Sequence, residues 1–137
     1  MATKTAAERL RIKPDTSVWV SHPEHRALLG QLPDGVTAAG GPADATTAVL
    51  FAGDAEDLDD VLTAHAADLD HPAYVWFAYP KGGRSDLNRD SLWPIVTDRT
   101  GMRPITQVAL DDTWSALRFR PLKPGEEPFS GGRPRRR

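Results

Sequence analysis

The sequence predicts an α/β fold: a mostly parallel sheet of about six strands, covered by helices on both faces and closed by an antiparallel C-terminal hairpin. Three observations lead there. Apolar runs of strand length alternate with segments of helical period. Two of those runs, "TAVLFAG" (47–53) and "AYVWFAYP" (73–80), are apolar throughout, as strands covered on both faces are. The final two β-rich runs are separated only by a tight acidic turn, which leaves no room for a crossover.

Each element has its own signal. "SVWVS" (17–21) is a short β-rich run. "PEHRALLGQL" (23–32) opens with proline at a first helical position and carries Leu28, Leu29 and Leu32 at helical spacing, which predicts a helix. "VTAAGG" (36–41) is a weak second strand ending in a glycine pair, and "TAVLFAG" is the third. The clearest helix follows, with Asp54 as N-cap and with Leu58, Val61, Leu62, Ala66 and Leu69 lining one face. Its Glu56, Asp57, Asp59 and Asp60 match the positive end of the helix dipole and read as a solvated face.

"AYVWFAYP" is the fourth strand, ended by Pro80. Asn88 then suits an N-cap, because it places Leu87 and Leu92 at the two positions of a hydrophobic staple. Pro94 falls inside this third helix and is expected to kink or shorten it. "PITQVALDD" (104–112) and "WSALRFRP" (114–121) form the hairpin, with an aspartate early in the turn where its carboxylate can bond the backbone. "KPGEEPFSGGRPRRR" (123–137) has no period and reads as a disordered basic tail. The organisation expected is an N-terminal arm (1–14), one α/β domain (15–122) and that tail. Strands alternating with right-handed helical crossovers make the domain three-layered and Rossmann-like.

Composition narrows function. A chain of 137 residues suits one domain, in which roughly two thirds of the unfolded surface can be buried. Hydrophobic residues at 39% and charged residues at 26% are ordinary for a globular protein. With no cysteine, disulfides and thiolate metal sites are excluded. No apolar run reaches the roughly 20 residues of a membrane span. "MATKTAAERLRIK" lacks the apolar stretch of a secretory signal, so a cytoplasmic location and no membrane partner are expected.

The net charge of -2 conceals an asymmetry. Arg133, Arg135, Arg136 and Arg137 belong to the tail; without them thirteen basic residues face nineteen acidic ones, and residues 1–132 carry -6. An acidic body does not suit a folded nucleic-acid interface, so any such contact is assigned to those four arginines. "GGRPRRR" is similar in form to arginine hooks that lie in the minor groove, set against the plainer reading of a solubilising terminus.

Doubly wound sheets bind ligands outside the carboxyl ends of their strands. The fourth strand runs out there into "YPKGGRSDLNRD" (79–90), with Lys81, Arg84, Asp86 and Arg89 around the Gly82-Gly83 pair. The fifth runs out into "DDTW", with Asp111, Asp112 and Trp114, and the returning strand carries Arg118. Two readings stand. Arg118 pairs with one aspartate and Trp114 packs over the loop as a structural lock, or the rim holds an anion near Lys81 and Arg84 with Trp114 as a stacking surface.

Two segments also carry a resemblance. "VWFAYPKGGRSDLNRDSLWPIV" (75–96) and "GMRPITQVALDDTWSALRFRP" (101–121) are similar to the bacterial domain-of-unknown-function family 3052, marked by a YPK loop, an N-R-D-x-L-W helix start and a V-A-x-D-D-T-W-S-A-L-R-F hairpin. The similarity extends more loosely back to about Leu10 and implies no activity. The chain departs from the family pattern at "SHPEHRALL" (21–29) and at Pro94. The strand order also resembles that of methyltransferases, which implies 2-1-3-4-6-5 with only the sixth strand antiparallel. Methyl transfer needs a glycine-rich turn after the first strand, and "SHPEHRALLG" supplies none, so no cofactor is expected.

Other chemistry finds little support. His22 and His25 are one component of a metal site, and His65, His71 or distant carboxylates would have to converge on them. Ser115 lacks a G-x-S-x-G elbow, and Asp111 and Asp112 alternate faces if extended. Trp19, Trp76 and Trp93 read as core. The favoured function is a non-enzymatic module binding an anionic small molecule or a protein partner at the rim. A degenerate transferase-like enzyme using the same edge, and a DNA-associated protein acting through the tail, are the alternatives.

Overall fold

A computed structural model describes residues 5–83 and 85–127. Its six strands are β1 (Ser17–Val20), β2 (Thr37–Ala38), β3 (Thr47–Phe51), β4 (Tyr74–Pro80), β5 (Arg103–Ala109) and β6 (Trp114–Arg120). They form one sheet in the order β2-β1-β3-β4-β6-β5. The pairs β1/β2, β1/β3 and β3/β4 are parallel, whereas β6 runs antiparallel to both its neighbours. This is the three-layer, Rossmann-like arrangement that the alternating periods imply, with the hairpin at one edge.

Side chains of alternate parity feed two cores. Ala48, Leu50, Val75, Phe77, Leu117 and Phe119 pack on one face against α2 (Ala55–His65) and α3 (Arg89–Thr100). Val49, Phe51, Trp76, Ala78 and Ala116 pack on the other, beneath the short helix α1 (Ala6–Arg9) and the segment Pro23–Leu29. β3 is buried along its whole length because both layers cover it.

The local signals explain the helices. The Asp54 side chain accepts the Asp57 amide at the start of α2. Asn88 and Ser91 form a reciprocal capping box on α3, with Leu87 and Leu92 buried beside it as a staple. The acidic face of α2 is not wholly solvated: Asp59 meets Arg99 of α3 at 2.7 Å, and Asp57 is drawn to the sheet edge.

Four expectations change. Pro23–Leu29 is a 3₁₀ helix rather than an α-helix. His22 gives it no side-chain cap, and Gly30 ends it at φ 73°, a backbone state that glycine adopts without strain. Helix α3 is not shortened at Pro94, which is exposed and leaves the turns on either side helical. The segment taken as an N-terminal arm buries Ala7, Leu10 and Ile12, and the Trp76 indole N–H donates to Leu10 O at 3.0 Å. Finally, residues 123–127, placed in the tail by sequence, carry contacts back to the sheet. Glu126 accepts from Arg103 at 2.6 Å, from Arg120 at 2.8 Å and from the Lys123 amide at 2.9 Å.

Arg120, the Lys123 amide and Arg103 hold the Glu126 carboxyl well below the usual carboxylate range. A depressed folded value means that this contribution is fully present above the ordinary carboxyl value of about 4.3 and is lost as pH falls from there toward the folded value. Glu126→Gln should therefore abolish the acid-dependent part of the segment's stability and remove protection of the Lys123 and Glu126 amides in hydrogen exchange. Unchanged protection would mean that backbone packing alone holds the segment.

Candidate functional site

The carboxyl ends of β4 and β5 emerge at the same edge of the sheet, with β6 between the two strands. The Lys81 amide donates to Thr113 O at 2.8 Å, so the glycine-paired loop and the acidic bend are joined by a direct hydrogen bond. Gly82 and Gly83 turn that loop at φ 75° and 74°. Asp111 Oδ1 accepts the Thr113 and Trp114 amides at 2.8 and 2.7 Å, and the aspartate thereby shapes the bend through its own backbone. Asp112 is exposed beside it.

Asp86 and Arg89 have local work. Asp86 Oδ1 accepts the Ala55 amide at 2.9 Å, so the β4–α3 loop caps the first turn of α2. Arg89 opens α3 and meets the neighbouring Asp90 at 3.3 Å in the open. Arg84 lies outside the described residues, as do Arg133, Arg135, Arg136 and Arg137.

Arg118 does not belong to the rim. It stands opposite Trp76 in the sheet register, four residues along β6 from Trp114, and its guanidinium carbon sits 4.6 Å from the centre of the Tyr74 ring. Strand geometry separates it from the acidic bend by roughly 13 Å of β6. The expected pairing with Asp111 or Asp112 is therefore replaced by a cation–π contact at the amino side of the sheet.

A cluster that the sequence treated as local detail lies at the switch point between β1 and β3. β1 connects onward to β2 on one side and β3 lies on the other, so the chain reverses its direction across the sheet between the Pro23–Leu29 segment and α2. Ser21 Oγ accepts the Phe51 amide at 2.8 Å and contacts His22 Nδ1 at 2.7 Å. His22 Nε2 faces Asp57 Oδ1 at 3.3 Å, while Asp57 Oδ2 accepts the Gly53 amide at 2.9 Å. A hydroxyl that donates to Nδ1 leaves Nε2–H for the carboxylate, which gives one consistent set of protons.

Serine, histidine and aspartate in sequence of contact suggest hydrolysis in composition, but the wiring suits a strap. The serine oxygen is anchored to the β3 backbone, and the carboxylate closes the turn before its own helix. The chain of bonds thus ties the ends of β1, β3 and α2 together.

His25 adds its ring to this cluster. Its ring centre lies 4.9 Å from Phe51 and 5.0 Å from Trp114, and Trp114 meets Phe51 edge-on at 5.2 Å. His22 stacks against His25 at 5.9 Å. Trp114 therefore links the acidic bend to the switch point. The signal available in sequence was the "SHPEH" stretch directly after the first strand. Fold geometry, rather than residue spacing, brings it to Asp57 and Trp114.

His65 packs against Trp19 at 4.6 Å and His71 sits beside Asp70, both away from the histidine pair. Among the described residues no group of three histidines or carboxylates could hold a metal ion. Ser115 is buried, and its bond with the Tyr79 hydroxyl acts against the burial that raises the tyrosine pKa. Among the described residues no helix is long and apolar enough to cross a membrane.

No family model matches the chain, and no curated protein does. Solved structures do. A protein of the NADB-Rossmann superfamily from Streptococcus agalactiae aligns over 95% of this chain and 72% of its own, at a TM-score of 0.52 and 12% identity. An uncharacterised protein from Listeria monocytogenes serotype 4b aligns over 94% and 71%, at 0.52 and 11% identity. At such identity the likeness establishes a Rossmann-type fold.

Proposed function

We propose that the protein is a non-enzymatic binding module that takes an anionic small molecule at the carboxyl edge of its sheet. The single observation behind this reading is the ring wall of half-buried His25 and Trp114 on buried Phe51, which meets the Lys81 loop through the Lys81 to Thr113 hydrogen bond. An aromatic wall offers a planar group a stacking surface, and the lysine offers a charge. The absence of a glycine-rich turn after β1 argues against a dinucleotide pyrophosphate there, because Pro23 and the 3₁₀ helix fill that position. The anchored hydroxyl of Ser21 argues against acyl transfer. Membership of family 3052 is part of the same proposal, since its two motifs supply the Lys81 loop and the acidic bend.

A thermal-shift and amide chemical-shift screen against nucleotides, adenosyl compounds and phosphosugars tests the reading. Ligand-dependent movement in residues 79–89 and 111–115 is expected. Lys81→Ala should weaken the response about tenfold with little loss of stability, because it removes a single charge contact. Trp114→Ala should abolish it. Movement confined to residues 133–137 on adding duplex DNA would transfer the function to the tail.

A further inference from the structure

The face of the sheet beneath α1 carries a second basic surface, distinct from the rim. A cleft of about 500 Å³ opens there, with Arg9, Arg11, Lys13, Trp76 and Thr106 in its walls. Arg118 stands in register between Trp76 of β4 and Thr106 of β5, and so between two residues of that lining. Its guanidinium carbon lies 4.6 Å from the centre of the Tyr74 ring. The Nε of Arg118 is buried and finds no hydrogen-bond partner among the described residues.

The cations of the cleft are not neutralised from within. Among the described residues, Arg11, Lys13 and Arg118 form no ion pair with a carboxylate. Arg9 is committed to Ala109 O at 2.9 Å, and the one acid in the lining, Glu8, caps α1 by accepting the Thr5 amide at 3.0 Å. Burial first, and then the charge of Arg11, push the Arg118 pKa below its usual value. Like charges held close together are unfavourable when the cleft is empty, and an oxyanion between them relieves the repulsion. Among the described residues Arg11 is also one of two non-glycine residues at positive φ, at 63°, a state that side chains other than glycine adopt at a cost.

We propose that this cleft is a binding site for a phosphate-bearing small molecule, with Arg11 as the guanidinium donor, Lys13 as a flexible charge at the mouth and Arg118 as a second positive charge behind the lining. A cavity of this size is within the range that holds a phosphorylated sugar or a nucleotide. The site is independent of the rim, and each can fail without the other.

The test uses the full chain titrated with inorganic pyrophosphate, with sodium chloride at matched ionic strength as control. Pyrophosphate should raise the melting temperature where chloride does not, and should move the Thr106 and Val108 amides and the Trp76 indole signal. The double variant R11Q/K13Q alters exposed positions only, so it should fold normally and lose about tenfold or more in pyrophosphate affinity. At low salt without ligand it should be at least as stable as the parent, since it removes repulsion from Arg118. Trp114→Ala should leave the pyrophosphate response intact. An equal rise with chloride, no rise at all, unchanged affinity in R11Q/K13Q, or shifts confined to residues 81–89 would each overturn the site.

Discussion

Trp76→Phe should destabilise the protein by about 2 to 4 kcal/mol and release the N-terminal helix, because it combines a core deletion with an orphaned carbonyl. Trp76 is fully buried at the centre of β4, and its indole N–H is the bond to Leu10 O that fastens residues 5–12 onto the sheet. Phenylalanine keeps part of the apolar volume but has no donor. Leu10 O, buried under α1, would then lose its partner. The effect should appear as a lower denaturation midpoint, accompanied by faster exchange of the Leu10 and Ile12 amides, which close the helix onto Ala6 and Ala7. A loss below about 1 kcal/mol with those amides still protected would mean that the apolar contacts of Ala7, Leu10 and Ile12 hold the segment without the indole.

The same tryptophan illustrates which parts of the fold were legible. "AYVWFAYP" can be read as a doubly covered strand from its unbroken apolarity, and that burial makes Trp76 a core residue whatever lies above it. The identity of its cover was not legible. Ala7, Leu10 and Ile12 sit in a charged, alanine-rich stretch whose four-residue helix is too short to display a period. The arm reading followed from that. Caps were readable because they are local: Asp54 and Asn88 each act on an amide two or three residues away. The 3₁₀ segment was not, since three leucines fit both helix types and only the route from β1 to β2 decides between them.

The site divides in the same way. Adjacency of the Lys81 loop and the acidic bend follows from strand order, and strand order follows from alternation. Arg118 was misplaced because alternation gives the face of a side chain but not its height along the strand. Counting from Trp114 would have put it opposite the middle of β4. His22 and His25 carried a weak spacing signal that pointed toward metal chemistry. Their partners, Asp57 at 35 residues from His22 and Trp114 at the far end of the chain, are brought in by tertiary structure alone.

Phe51 is where fold and proposed site become the same residue. Its ring is completely buried and touches both His25 and Trp114, while its amide is the anchor of Ser21. Phe51→Ala should cost about 3 to 5 kcal/mol, the range for emptying an aromatic position in a packed core. Phe51→Leu separates the two roles. It fills most of the volume and keeps the backbone bond to Ser21, so its cost should fall to about 1 to 2 kcal/mol. It nevertheless deletes the ring against which His25 and Trp114 are set, at about 0.5 to 1.5 kcal/mol per aromatic pair. Trp114 should then show an altered near-ultraviolet signal, and ligands found at the rim should bind more weakly, with the Asp57 end of the strap unchanged in the exchange protection of the Gly53 amide. If Phe51→Leu binds those ligands as tightly as the parent, the aromatic wall is packing alone, and recognition at the rim rests on the Lys81 loop.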